Sequence, residues 1–245
     1  MTEKRYYCPQ CLSYGEAGAE FCTSCGAKLV PLMRIVIMPF VESGQEPEDL
    51  GEYGELVSRD GELSPAMAIG CQLYMQSDLE RSRLMASQKE FYFREAERML
   101  PRLVKSYLEP MVFYEVPDPD EVERIADEAA DVPTELFVII QNRYDPEYLF
   151  LPEIDYFFFR YPRLHTSGTG PDSGFGFVRL SAFLLDNREN RIVSRGSGSG
   201  LELYRPPEAV LDENFNVSLE EQMEVMRLAA SRAVESLLQT MKMIK

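Results

Sequence analysis

The chain has 245 residues, with 45% hydrophobic and 27% charged side chains and a formal net charge of −16. That length holds one domain with a sizeable core plus a small appended module. A surface this acidic repels nucleic acid and anionic lipid, and no stretch reaches the roughly 18 consecutive apolar residues of a membrane-spanning helix, so both classes are set aside.

Four cysteines open the chain. Cys8 and Cys11 form one Cys-x-x-Cys pair, Cys22 and Cys25 a second, and ten residues separate them. Two thiolate pairs at that spacing close a tetrahedral metal site, for which zinc is the expected cofactor. Pro9 stiffens the first knuckle, and Gly26 follows the second, where positive φ is tolerated. Tyr6, Tyr7, Leu12, Phe21 and Leu29 are too few to build a core, so a metal would supply the missing stability. A disulfide framework and a redox dithiol are the competing readings. The first needs an oxidising compartment, and Met1 to Arg5 is polar with no apolar run behind it. The second needs only one pair. With four thiolates no coordination position is left open, which points to a structural rather than a catalytic ion. Thiols held for metal without an export signal place the protein in the cytoplasm as an expectation.

Beyond this module (residues 1–30), residues 31–245 read as an α+β domain. Met33 to Phe40 is a compact apolar run ending at Pro39-Phe40 and predicts a buried strand. Residues 41–63 form an acidic, Gly-containing excursion. Ser64-Pro65 could start a short helix through Met75, and Cys71 within it reads as a buried, inert thiol. Ser77 to Glu80 has capping-box spacing, and a helical pattern follows to Leu108, with a break expected near Met99 because of Pro101. Met111 to Val116 predicts a second strand. Asp118-Pro119-Asp120-Glu121 starts a helix that would bury Val122, Ile125, Ala126 and Ala129. Glu135 to Gln141 predicts a third strand.

An aromatic and Gly-rich insertion, residues 146–174, comes next. Tyr148 to Tyr161 holds three consecutive phenylalanines, which a strand would place on both faces. Either both faces are covered as internal core, or Tyr156, Phe157, Phe158, Phe159 and Tyr161 offer an interface to a partner protein or a second copy. The only histidine, His165, sits in a Gly-containing loop with no nucleophile-elbow sequence anywhere in the chain. The glycines of 168–176 and 196–200 lack the Gly-Lys-Ser/Thr ending of a phosphate loop and read as a loop tip and a bulged strand. Phe175 to Leu185 and Arg191 to Tyr204 flank a polar turn and predict a long hairpin, with Val178, Leu180, Ala182 and Leu184 on one face. Ser218 with Glu221 caps a last helix carrying Leu219, Met223, Met226, Ala230, Ala233, Leu237 and Met241. Alternating strands and helices, then a hairpin and a helix, imply a mixed sheet with helices packed on it.

Two resemblances rest on these residues. Tyr7 to Leu29 resembles the short zinc ribbons found at the start of many prokaryotic cytoplasmic and membrane proteins, with Phe21, Gly26 and Leu29 matching and Leu12 standing where those ribbons usually have Gly. The resemblance implies a stabilising or binding module. Met33 to Lys245 resembles the group that includes the TolB N-terminal domain, the curli-secretion-channel protein and lipoproteins that activate cell-wall synthases. It does so through Pro39-Phe40 and through Val178 to Asp186 continuing to Gly196 and Gly198. That group is typically exported, has no shared catalytic residues, and mostly binds proteins or assembles into rings. The combined expectation is a non-enzymatic cytoplasmic protein-binding or assembly protein with a structural zinc ribbon. The alternatives are a hydrolase-like enzyme whose site converges only in three dimensions, and a nucleic-acid-associated ribbon protein.

Overall fold

The computed structural model describes residues 5–15, 19–42, 82–111, 113–129, 133–160, 174–204 and 217–244, with side chains throughout except at 82–90, 133–135 and 160. Cys71, Tyr161, His165, the capping box at Ser77 and the excursion beyond Glu42 lie outside these residues. The helix expected from Ser64 to Met75 does so as well.

A two-stranded antiparallel ribbon, β1 (Tyr6–Tyr7) with β2 (Val30–Pro31), carries the cysteines. The chain runs from it directly into the main sheet. That sheet contains β3 (Met33–Ile37), β4 (Val41–Glu42), β5 (Tyr114–Glu115), β6 (Tyr148–Arg160), β7 (Gly174–Asp186) and β8 (Arg191–Tyr204) in the order β5-β3-β6-β7-β8, with β4 also on β6. β3 is parallel to β5 and β6, whereas β6, β7 and β8 run antiparallel to one another. The expected α+β fold with a mixed sheet is what forms.

Strand alternation assigns the faces. Ile35 and Ile37 of β3 join Phe150, Val178, Leu180 and Ala182 in a core roofed by α1 (Ser82–Leu108) and α4 (Leu219–Thr240). Val36, Met38 and Leu149 face the other way, against α2 (Pro119–Glu128) and α3 (Pro133–Tyr144). In α1, Tyr92, Ala96, Leu100, Val104 and Leu108 repeat every fourth residue and are all buried. The helix continues through Pro101, correcting the expected break. Pro101 is only partly buried, so the helical bond it cannot make is lost at the protein–water boundary rather than in the core.

The strand expected over Glu135 to Gln141 is instead helix α3. Leu136, Ile139, Ile140 and Tyr144 fall at helical spacing and pack on the sheet, while Phe137 and Val138 point outward. The sheet position left open is taken by the aromatic segment: β6 lies between β3 and β7. The second expected strand shrinks to Tyr114–Glu115. Arg34 ties this region together. Its Nε and Nη2 donate to Glu115 Oε2 at 3.1 and 2.8 Å, its Nη1 donates to the Tyr144 carbonyl, and its backbone N donates to Glu147 Oε2 at 2.9 Å. One guanidinium thereby joins β3, β5 and the end of α3.

The hairpin and last helix form as the sequence predicts. The Ser218 hydroxyl accepts from Glu221 N, and the Glu221 carboxylate accepts from Ser218 N, a complete capping box. The glycines of β8 are not a bulge. Gly196, Gly198 and Gly200 share one face; the backbone of α4 lies directly on Gly198 and Gly200 at Ala229, Ala233 and Leu237, and the Thr240 and Met241 side chains lie over Gly196. Among the described residues no helix is long and apolar enough to cross a membrane.

Candidate metal centre

The ribbon is two copies of one turn. In the first, Leu12 N donates to the Cys8 carbonyl at 2.9 Å and Cys8 N to the Ser13 carbonyl at 2.8 Å. In the second, Gly26 N donates to the Cys22 carbonyl and Cys22 N to the Ala27 carbonyl, both at 2.8 Å. Isolated bridges follow the same plan, Tyr7 with Tyr14 and Phe21 with Lys28. Each turn closes with a residue at positive φ: Leu12 at 58° and Gly26 at 74°. Glycine accepts that conformation freely, and leucine takes it at a cost of about 1 to 2 kcal/mol. The departure at Leu12 therefore leaves the turn geometry intact and adds strain.

These turns bring the four cysteines together, with every pair of sulfurs within 4.8 Å. Cys8 and Cys25 Sγ are 3.4 Å apart, Cys11 and Cys22 3.5 Å, and Cys11 and Cys25 3.7 Å. A tetrahedral ZnS4 centre with Zn–S of about 2.3 Å requires sulfurs about 3.8 Å apart. The donor set therefore fits one ion in both spacing and chemistry. Cys8 and Cys22, the first of each pair, are buried beside Leu29, and Cys11 and Cys25 are exposed. The thiols influence one another. Cys22 is drawn down to about 6, first by the Ser13 hydroxyl and then by the backbone N–H groups of Ser24 and Cys25. Cys11 is also lowered, with Ser13 again the largest cause. Cys25 is pushed up to about 12; the Ala27 N–H lowers it, but Cys8, desolvation, Cys11 and Cys22 together prevail. A bound divalent ion would favour all four thiolates and crosslink the two turns.

The aromatic residues singled out in the sequence lie elsewhere. Tyr156, Phe157, Phe158 and Phe159 are all half-buried in β6. A bulge decides their directions. Ile154 pairs with Leu180 but Tyr156 pairs with Arg179, leaving Asp155 as the extra residue. The side chains facing α1 and α4 switch from Phe150 and Ile154 to Phe157 and Phe159. Phe157 meets Tyr92, and Phe159 meets Tyr204 edge-on. Phe158 packs against Phe175 and Phe177, and Tyr156 against Phe177. Asp155 is held on the bulge by the Ser181 hydroxyl, which donates to it at 3.1 Å. Sequence reasoning missed this bulge, and no local residue pattern marks it.

No family model matches the chain, and no curated protein matches it, so the zinc-ribbon and TolB-like resemblances rest on their residues alone. Among solved structures, the chain is similar to lipoprotein GNA1162 from Neisseria meningitidis, at 15% identity and a TM-score of 0.34, over 79% of this chain and 92% of that one. It is also similar to the PelC dodecamer from Paraburkholderia phytofirmans, at 10% identity and a TM-score of 0.29, over 82% of this chain and 89% of that one. Neither score places the chain in a family. The expected cytoplasmic location is corrected: with a lipoprotein among the similar structures, that placement is withdrawn.

Proposed function

We propose that this is a non-enzymatic protein-binding or assembly protein, built as a zinc-stapled module (residues 1–30) joined to an α+β domain (residues 31–245). The observation that carries the reading is the closed set of four thiols within 4.8 Å. Such a set fills a tetrahedral ion's coordination shell and leaves no position for a substrate, so the ion's contribution is to hold shape. Zinc suits the set because soft thiolates in tetrahedral array favour it and it carries no redox chemistry of its own. Phe157 and Phe159 pack on the core, so it is the half-buried rings of Tyr156 and Phe158 on the opposite face that support the aromatic segment as the contact surface for a partner protein or a second copy. The test combines metal analysis with native mass spectrometry and light scattering on the full chain. The reading expects one zinc per chain and either a defined oligomer or a stoichiometric co-purifying protein. A metal-free chain, or a strict monomer with no partner, would overturn the corresponding half.

A further inference from the structure

Ser13 has no counterpart in the second turn. The two turns superimpose in their hydrogen bonds, and the residue matching Ser13 is Ala27, since each gives its carbonyl to the first cysteine of its own turn. The turn therefore does not need a hydroxyl at this position. The hydroxyl is nonetheless placed on the sulfurs: Ser13 Oγ lies 3.1 Å from Cys11 Sγ and 3.5 Å from Cys22 Sγ. It is the one side chain among the described residues, outside the cysteines themselves, that reaches a sulfur from each pair. Cys11 is an exposed member of the set, so this contact gives a fixed partner to a sulfur that burial does not shield.

Resting on the metal reading above, we infer that Ser13 is a positioning residue for the bound ion, donating its single hydroxyl proton to the Cys11 thiolate and sharing it with the more distant Cys22 thiolate. A metal-bound thiolate has no proton to give, so in the loaded site the hydroxyl must be the donor. Four thiolates around one divalent ion carry a net charge of −2, and a donor on two of them spreads that charge. The donor favours the thiolate over the thiol, which tightens binding. It also occupies a sulfur lone pair, which makes Cys11 a poorer target for electrophiles.

The experiment uses the full chain in three forms: the natural protein, Ser13→Ala and Ser13→Thr. Zinc affinity is read by competition with a chromophoric chelator, and cobalt(II) replaces zinc for absorption spectra. Alanine keeps the backbone carbonyl that Cys8 N requires, so the turn is retained. All three forms should take up one ion per chain. Ser13→Ala should bind about tenfold more weakly, the lower end of what an outer-shell partner contributes. Its sulfur-to-cobalt charge-transfer band should move to lower energy, because unbonded sulfur lone pairs lie higher. Ser13→Thr, which keeps a hydroxyl, should restore both. Equal affinity and identical cobalt spectra in the natural and alanine forms would overturn the role of Ser13 while leaving the metal site standing. Absence of metal from the natural protein would overturn both.

Discussion

Gly200 lies so close to Ala229 that a Cβ on the glycine would stand 1.9 Å from the Ala229 carbonyl oxygen. At Gly198 a Cβ would stand 2.2 Å from Leu237 N and 2.3 Å from the Ala233 carbonyl oxygen. The obstacles are helix backbone, which cannot rotate aside. At Gly196 the nearest atom is Met241 Cγ at 2.7 Å, the middle of a flexible side chain. Alanine at Gly200 or Gly198 should therefore destabilise the protein by about 3 kcal/mol, the upper part of the usual overpacking range, and alanine at Gly196 by clearly less. Urea midpoints of the three variants give the ordering. Equal midpoints for all three would mean that α4 does not sit on the strand backbone.

Leu12→Gly should stabilise the metal-loaded ribbon. Leucine at φ 58° is strained, and its side chain is 55% exposed, so little packing is lost. The relief of about 1 to 2 kcal/mol is partly offset by glycine's extra freedom in the unfolded chain, leaving a net gain of up to about 1 kcal/mol. Slower zinc loss to excess chelator is the measurement.

Removing the metal should act locally. Replacing Cys8 and Cys22 by serine, or adding a strong chelator, should abolish ion uptake and loosen the ribbon. The sheet core around Leu180 and Leu237 has its own buried apolar residues and should keep its denaturation midpoint. Hydrogen exchange resolved along the chain separates the two responses.

Ser218→Ala should cost about 1 kcal/mol. The hydroxyl satisfies the Glu221 N–H, and the reciprocal Glu221 bond to Ser218 N loses its orientation without it. Glu221 also accepts from the Tyr204 hydroxyl at 2.9 Å, so fraying should reach the end of β8. Thermal melting and exchange at the first turn of α4 test this.

Alkali should weaken the fold through its buried tyrosines. Burial pushes Tyr92 and Tyr144 up to about 12, whereas the unfolded chain's tyrosines ionise near 10. Between those values the unfolded state gives up protons that the folded state retains, so stability present below pH 10 falls as pH rises toward 12. Tyr92→Phe should flatten that decline in urea titrations at successive pH values. An unchanged slope would exclude Tyr92 as a cause.

The ease with which each part could be read follows how local its determinants are. The Cys-x-x-Cys pairs, the Ser218 capping box and the alternation of Val178, Leu180, Ala182 and Leu184 are written in consecutive residues, and each forms as read. Glu135 to Gln141 failed because a short apolar run suits a buried strand and a helix equally. Extending the window to Pro133 and Tyr144 supplies the missing cues: proline in the first turn, and Leu136, Ile140 and Tyr144 every fourth residue. The Gly-x-Gly-x-Gly of β8 was visible as a pattern, but its purpose depends on a helix that comes later in the chain.

The sequence by itself determined that four thiols meet around one point, because two short turns set their spacing with little help from the rest of the molecule. It also determined the hairpin and the helix that follows, through alternation and capping. Only the tertiary structure decided which aromatic rings of β6 face the core. Side chains alternate with a period of two, so the single extra residue at Asp155 exchanges the two faces for every ring that follows. That register depends on Arg179 and Leu180 in the neighbouring strand, which no reading of β6 alone contains.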